Sequence, residues 1–75
     1  MSLEALEKGK RAVVARIEGG LHAREKLLEL GVVPGVPVRK LQGGRNGPVL
    51  VEVLGSQVMI GHGLAAKVML GRYVG

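Results

Sequence analysis

Residues 23–35 read AREKLLELGVVPG, and this stretch decides the fold of the chain. Ala23, Leu27 and Leu30 recur at four- and three-residue spacing, which predicts a short helix with one apolar face. The charged residues between them are then left on the opposite face, in water. The sequence therefore predicts a one-sided helix lying on the surface of a small core.

The two ends of this helix carry signals of different strength. No Ser, Thr, Asp or Asn caps its start, which we place near Leu21 or His22. Gly31 follows the last apolar residue, where helices commonly end with a glycine at positive φ. Pro34 and Gly35 then have the composition of a type II turn, in which glycine takes the third position. We expect positive φ at both glycines.

Length and composition bound the remaining possibilities. The chain has 75 residues, which predicts a single domain spanning 1–75. It contains no cysteine and one aromatic residue, Tyr73, so its core has to be aliphatic. No apolar run approaches the ~18 residues that span a bilayer, and the N-terminus lacks the apolar segment of a secretory signal. We expect a cytoplasmic protein that does not insert into a membrane.

Short segments rich in β-branched residues predict five strands. They cover residues 12–17, 36–41, 49–54, 57–60 and 67–73. In the first segment, Val13, Ala15 and Ile17 are expected to share the buried face. In the third, the valines alternate with other residues more regularly than in any other segment.

The connections between these segments are rich in glycine. Asn46 and Gly47 form the favoured pair for a tight hairpin turn, and Gly55-Ser56 is expected to form the next turn. Residues 61–67 formally match a dinucleotide-binding fingerprint, but only a short tail follows, so no long helix and return strand can complete that motif. We expect a one-turn helix there instead.

The segment 36–41 leaves two points open. Pro37 cannot donate a hydrogen bond to a neighbouring strand, so the segment is either an edge strand or has Pro37 at its start. An exposed edge here would offer a site for pairing with a second copy. Either Lys40 or Leu41 is expected to take the next inward position after Val38.

The sequence argues against catalysis and gives little support for a metal site. Asp and Cys are absent and neither serine has a histidine nearby in sequence, so we expect no enzyme activity. His22, Glu25 and His62 are the candidate ligands for a divalent ion such as Fe²⁺. They do not form a set of three at suitable spacing, so we expect no resident cofactor and weak or no metal binding.

The net charge of +5 raises nucleic-acid binding as an alternative function. Eleven basic residues are scattered along the chain with six acids among them, and no basic run occurs. Base stacking needs aromatic side chains, and the chain offers one. A solvated basic surface, or attraction to an acidic partner, explains the charge better.

Taken together, these elements describe an all-β protein with small helical insertions. About five strands form a small, partly open barrel, with one helix after the first strand and a one-turn helix before the last. Within it, residues 24–38, REKLLELGVVPGVPV, resemble the signature of the ferrous-iron transport protein A (FeoA) family. The resemblance extends from Leu3 to the final strand and implies an SH3-like domain.

The same resemblance implies a small cytosolic accessory protein of ferrous-iron uptake. Its implied partner is the cytosolic domain of a membrane ferrous-iron transporter, which would hold it at the inner face of the membrane. The family also implies transition-metal transport or binding. Mixed charges beside an apolar turn suit a protein interface with a polar rim. The predicted contact residues are therefore Arg24, Glu25, Lys26, Val33, Pro34 and Gly35. The oligomeric state stays open.

Overall fold

The computed structural model describes all residues from 1 to 75 and contains five strands and two helices. In chain order they are β1 (Arg11–Ile17), α1 (Leu21–Glu29), β2 (Pro37–Gly43), β3 (Val49–Val53), β4 (Ser56–Ile60), α2 (His62–Ala65) and β5 (Val68–Arg72). The strands form one antiparallel sheet in the order β4-β3-β2-β1-β5, and the two edge strands leave it partly open. The predicted architecture is confirmed. Neither helix has the length and apolar character needed to cross a membrane.

A single cluster of aliphatic side chains forms the core. The three valines of β3 are all buried, as their alternation predicts, and Leu27 joins them from α1. Leu3 and Leu6, which precede β1, are buried against the same cluster. The N-terminal segment is held there by backbone bonds to β5, such as the one from the Leu3 N–H to the Val68 carbonyl at 2.9 Å. The N-terminal segment is therefore part of the core.

The buried face of β1 differs from the prediction. Ala12 and Val14 point into the core, whereas Val13 is half-buried and Ala15 is exposed. The register with β5 shifts between Val14 and Arg16, which marks a β-bulge. Because an extra residue reverses the alternation, Ile17 packs against the core although it follows Val14 by an odd number of residues.

β2 is a central strand, so the possibility of an exposed edge at residues 36–41 is wrong. Pro37 is its first residue and lies opposite Val13, where a missing N–H is tolerated. The inward position belongs to Lys40, which is 4% exposed and donates from Nζ to the Glu4 carbonyl at 2.8 Å. A register shift between Lys40 and Gln42 then leaves Leu41 half-buried. The lysine is tolerated inside because its ammonium has this acceptor.

The connection between β2 and β3 is longer than the predicted tight turn at Asn46 and Gly47, and the turn between β3 and β4 lies one residue earlier than predicted. Residues 44–48 connect β2 and β3, and three of them have positive φ: Gly44 at 108°, Arg45 at 54° and Asn46 at 67°. Between β3 and β4 the residues with positive φ are Leu54 and Gly55, with φ of 50° and 80°. The hairpins themselves are confirmed. Their exact position is set by the pairing of the flanking strands rather than by the turn residues alone.

Helix α1 ends as the sequence predicts. Gly31 has a φ of +83°, and its N–H donates to the Leu28 carbonyl at 2.9 Å. The N–H of Val32 donates to the Leu27 carbonyl, also at 2.9 Å. These two bonds form a Schellman motif, which satisfies the last carbonyls of the helix and turns the chain away from its axis.

Replacing Gly31 with alanine should destabilise the fold by about 1 to 2 kcal/mol, because a side chain at this positive φ is strained. The added Cβ would lie 3.2 Å from Cδ1 of Leu54, which is the mobile end of an exposed side chain and has room to move. Chemical denaturation measures the difference. Gly63→Ala is the matched control, since Gly63 lies in α2 without positive φ and with open space around it. A similar loss of stability in Gly31→Ala and Gly63→Ala would contradict the conclusion that positive φ at Gly31 requires glycine.

Candidate partner-binding groove

A groove of about 410 Å³ opens where the end of β1, helix α1 and the segment between α1 and β2 meet. Its lining comprises Arg16, Ile17, Arg24, Leu28, Val32, Val33 and Pro34. This is the larger of the two cavities in the structure. It lies against the stretch with which the sequence analysis begins.

The Pro34-Gly35 turn shapes one wall of the groove. The N–H of Val36 donates to the Val33 carbonyl at 3.1 Å, and Gly35 has a φ of +93°, which confirms the predicted turn. The Gly35 N–H also donates to the Val14 carbonyl at 2.8 Å. The turn is therefore fixed to β1 by a backbone bond and holds Pro34 in a defined position.

The groove is mainly apolar. Val32 is fully buried at its base, and Ile17 and Val33 are half-buried beside it. Leu28 is 62% exposed on the rim, although it directly follows the fully buried Leu27. A concave apolar surface with an exposed leucine on its rim is the kind of site that binds a side chain from another protein.

Two arginines flank this apolar surface, and only one of them is neutralised. Arg16 donates from Nε to Oε2 of Glu18 at 2.9 Å. Arg24 makes no ion pair and no hydrogen bond through its side chain. The unpaired charge in the groove lining is therefore positive, which favours an acidic group on whatever binds there.

The groove contains half of the predicted contact residues. Arg24, Val33 and Pro34 line it, whereas Glu25, Lys26 and Gly35 are exposed outside the lining. Four lining residues were missed by the sequence analysis: Arg16, Ile17, Leu28 and Val32. The usable signal was Leu28, since it stands one position from the buried stripe of the helix and so turns away from the core.

The candidate metal ligands are not brought together. His22 and Glu25 are exposed on α1, while His62 lies on α2 with its Nδ1 against Oε2 of Glu4. Nowhere does the structure bring three or more His, Cys, Asp or Glu side chains into a group that could hold a metal ion. The contact of His62 with Glu4 was not predicted, and two ligands do not complete a site.

Comparison with known proteins gives the family. The model of the FeoA domain matches residues 1–71. The chain belongs to the FeoA domain family. It is 33% identical over 64 residues to Fe(2+) transport protein A of Methanocaldococcus jannaschii, a match that covers 85% of this chain and 77% of that protein. The resemblance noted in the sequence is confirmed.

Solved structures agree with this assignment. A crystal structure of the iron uptake regulatory protein FeoA is 35% identical, covers 95% of each chain and superposes with a TM-score of 0.90. FeoA of Stenotrophomonas maltophilia complexed with zinc, described as a prokaryotic SH3 domain protein, is 28% identical with a TM-score of 0.79. That match covers 93% of this chain and 88% of that one. The SH3-like fold is thus confirmed.

Proposed function

We propose that this chain is an accessory protein of ferrous iron transport that binds the cytosolic domain of a membrane ferrous-iron transporter through the groove. The family assignment supports a role in ferrous iron transport, since the name of the Methanocaldococcus jannaschii relative refers to Fe(2+) transport protein A. The Stenotrophomonas maltophilia relative is described as a candidate activating factor of bacterial ferrous iron transport. Residues 1–75 act in this proposal as one cytoplasmic module.

The observation that carries the docking proposal is the combination of an apolar groove with the unpaired Arg24 on its wall. The expected occupant is a transporter segment with an aliphatic or aromatic side chain next to an acidic one. The apolar side chain fills the groove beside Leu28, and the carboxylate pairs with Arg24. Arginine and buried aromatic anchors are the residues most often found at interface hot spots, so Arg24 beside an aromatic anchor of the partner would fit that composition.

The alternatives have weaker support. The groove lining contains no Ser, Thr, Cys, His, Asp or Glu, so it offers neither a nucleophile nor a general base. Nucleic-acid binding would use the basic surface, but the one aromatic ring, Tyr73, already lies beside Arg11. A single ring does not provide the series of stacking platforms on which successive bases of a strand are held.

The test is capture of the transporter from detergent-solubilised membranes on the immobilised chain. Arg24→Glu should lower recovery about tenfold, which corresponds to about 1.4 kcal/mol, because the reversed charge repels the acidic group of the partner. Leu28→Ser should lower it similarly by removing the apolar contact at the rim. Leu28 is exposed, so that variant should keep its fold.

Arg45→Glu provides the matched control, because it makes the same charge change on an exposed hairpin turn outside the groove lining. It should leave recovery of the transporter unchanged. Equal losses of recovery for Arg24→Glu and Arg45→Glu would show that binding depends only on net charge, and would refute the groove as the binding site. Recovery of nucleic acid alone from wild-type protein would refute the function as well.

A further inference from the structure

A cluster of cations lies at the end of the sheet remote from the groove. Arg11 on β1 stands directly opposite Arg39 on β2, and the next residue, Ala12, stands opposite Arg72 on β5. Lys10 is bonded through its carbonyl to the N–H of Lys40, at 3.1 Å, so it continues the same end of the ladder. We call the exposed members of this cluster the basic end: Lys8, Lys10, Arg11, Arg39 and Arg72.

The charges of the basic end are not neutralised within the protein. The two ion pairs of the structure are Arg16 with Glu18 and His62 with Glu4, and neither involves this cluster. Glu52 faces Arg39 across the ladder with β3 but makes no ion pair with it. Like charges directly opposite each other on neighbouring strands are destabilising, and a bound anion would reduce this repulsion between Arg11 and Arg39.

An aromatic and an aliphatic side chain accompany these cations. Arg11 donates from Nη1 to the Tyr73 hydroxyl at 3.4 Å, and its guanidinium lies 5.4 Å from the centre of the ring. Val74 follows and is 84% exposed. Met1 is also exposed and is held beside β5 by a bond from the Leu70 N–H to its carbonyl, at 2.8 Å. The basic end thus carries apolar groups beside its charges.

We propose that the basic end binds the anionic phospholipid headgroups of a membrane surface. Each Lys or Arg near such a surface strengthens binding by about 1 kcal/mol, or about fivefold, so five of them give a measurable attraction. Tyrosine is enriched at the membrane interface, where an exposed valine also gains from leaving water. Neither cavity of the structure includes a basic-end residue, so the cluster lies on an open surface, as contact with a membrane requires.

The position of this surface allows it to act together with the groove. Arg11 begins β1 and Ile17 ends it, which separates the two surfaces by roughly 20 Å at about 3.3 Å per residue. Membrane contact at one end therefore leaves the groove free, and it raises the effective concentration of the chain near any membrane protein. The lipid proposal does not depend on the proposed transporter contact, since it concerns binding to protein-free vesicles.

The experiment is sedimentation of the full chain with vesicles. We expect binding to phosphatidylcholine mixed with phosphatidylglycerol, weakening at high salt, and no binding to phosphatidylcholine alone. Arg39→Gln combined with Arg72→Gln should weaken binding about 25-fold, as two contributions of about fivefold each. The control, Arg24→Gln with Lys26→Gln, removes the same charge from α1 and should change binding less than about threefold.

A second pair of variants tests the same surface at residues outside the strands, where a folding defect is not expected. Lys8→Gln with Lys10→Gln alters exposed residues ahead of β1 and should also weaken binding about 25-fold. Equal losses in the α1 control would overturn the proposal, because they would show a response to net charge alone. Failure to sediment with mixed vesicles would overturn it too. So would complete displacement from those vesicles by duplex DNA at equal phosphate concentration, which would identify nucleic acid as the preferred ligand.

Discussion

Replacing Leu27 with alanine should lower the free energy of unfolding by about 2 to 5 kcal/mol. Leu27 is 0% exposed and is the residue through which α1 enters the main core cluster. Truncating it removes apolar contacts and leaves a cavity that the backbone of a short helix fills only partly. Because small domains are stable by only about 5 to 15 kcal/mol in total, the variant should be partly unfolded at moderate denaturant concentrations.

The neighbouring leucine provides the control. Leu28 is 62% exposed, so Leu28→Ala should change the free energy of unfolding by less than about 0.5 kcal/mol. Urea denaturation followed by circular dichroism measures both variants under the same conditions. Equal losses would mean that α1 does not bury the face containing Leu27, and the predicted orientation of the helix would be wrong.

Local chemistry explains why part of the fold was predictable. Gly31 and Gly35 adopt positive φ readily because glycine has no Cβ, so their conformation can be predicted from the residue type alone. The alternation in β3 is equally local, since Val49, Val51 and Val53 differ from their neighbours at every second position. Such features need no information from distant parts of the chain.

Features that depend on distant residues were either missed, as the buried face of β1 was, or left open, as the choice between Lys40 and Leu41 was. The bulge after Val14 exists because β1 must match β5, and the resulting slip exchanges the buried face. Lys40 is buried because its Nζ reaches the carbonyl of Glu4, which lies 36 residues away in sequence. No periodicity within either segment reports on these pairings.

The groove also combines residues that a local sequence argument groups with residues that are distant in sequence. Arg24, Val33 and Pro34 belong to one continuous stretch of helix and turn, so a local argument was enough to group them. Arg16 and Ile17 come from β1 and join the groove because the turn is bonded to that strand through Val14. Three of the residues that the sequence grouped thus lie on the wall formed by the helix and the turn, whereas the opposite wall comes from the strand.

Gly43 is the second position where a small change should have a large effect. Its φ is +96°, and a Cβ added there would overlap the carbonyl oxygen of Pro48 and lie 3.1 Å from Cα of Val49. These are backbone atoms of the opposite strand, and Gly43 pairs directly with Val49 in the β2–β3 ladder. Gly43→Ala should therefore cost about 2 to 5 kcal/mol, as left-handed strain of about 1 to 2 kcal/mol plus about 1 to 3 kcal/mol for separating the strands.

Gly55→Ala separates these two contributions. Gly55 also has positive φ, at +80°, but open space surrounds the position of its Cβ. It should cost only the left-handed strain of about 1 to 2 kcal/mol. Denaturation gives both energies, and amide hydrogen exchange across β2 and β3 should show faster exchange near Val49 in Gly43→Ala alone. If the two variants lose the same stability and exchange alike, the close approach of Gly43 to Pro48 contributes nothing, and the strand pairing at this end of the hairpin is looser than the register indicates.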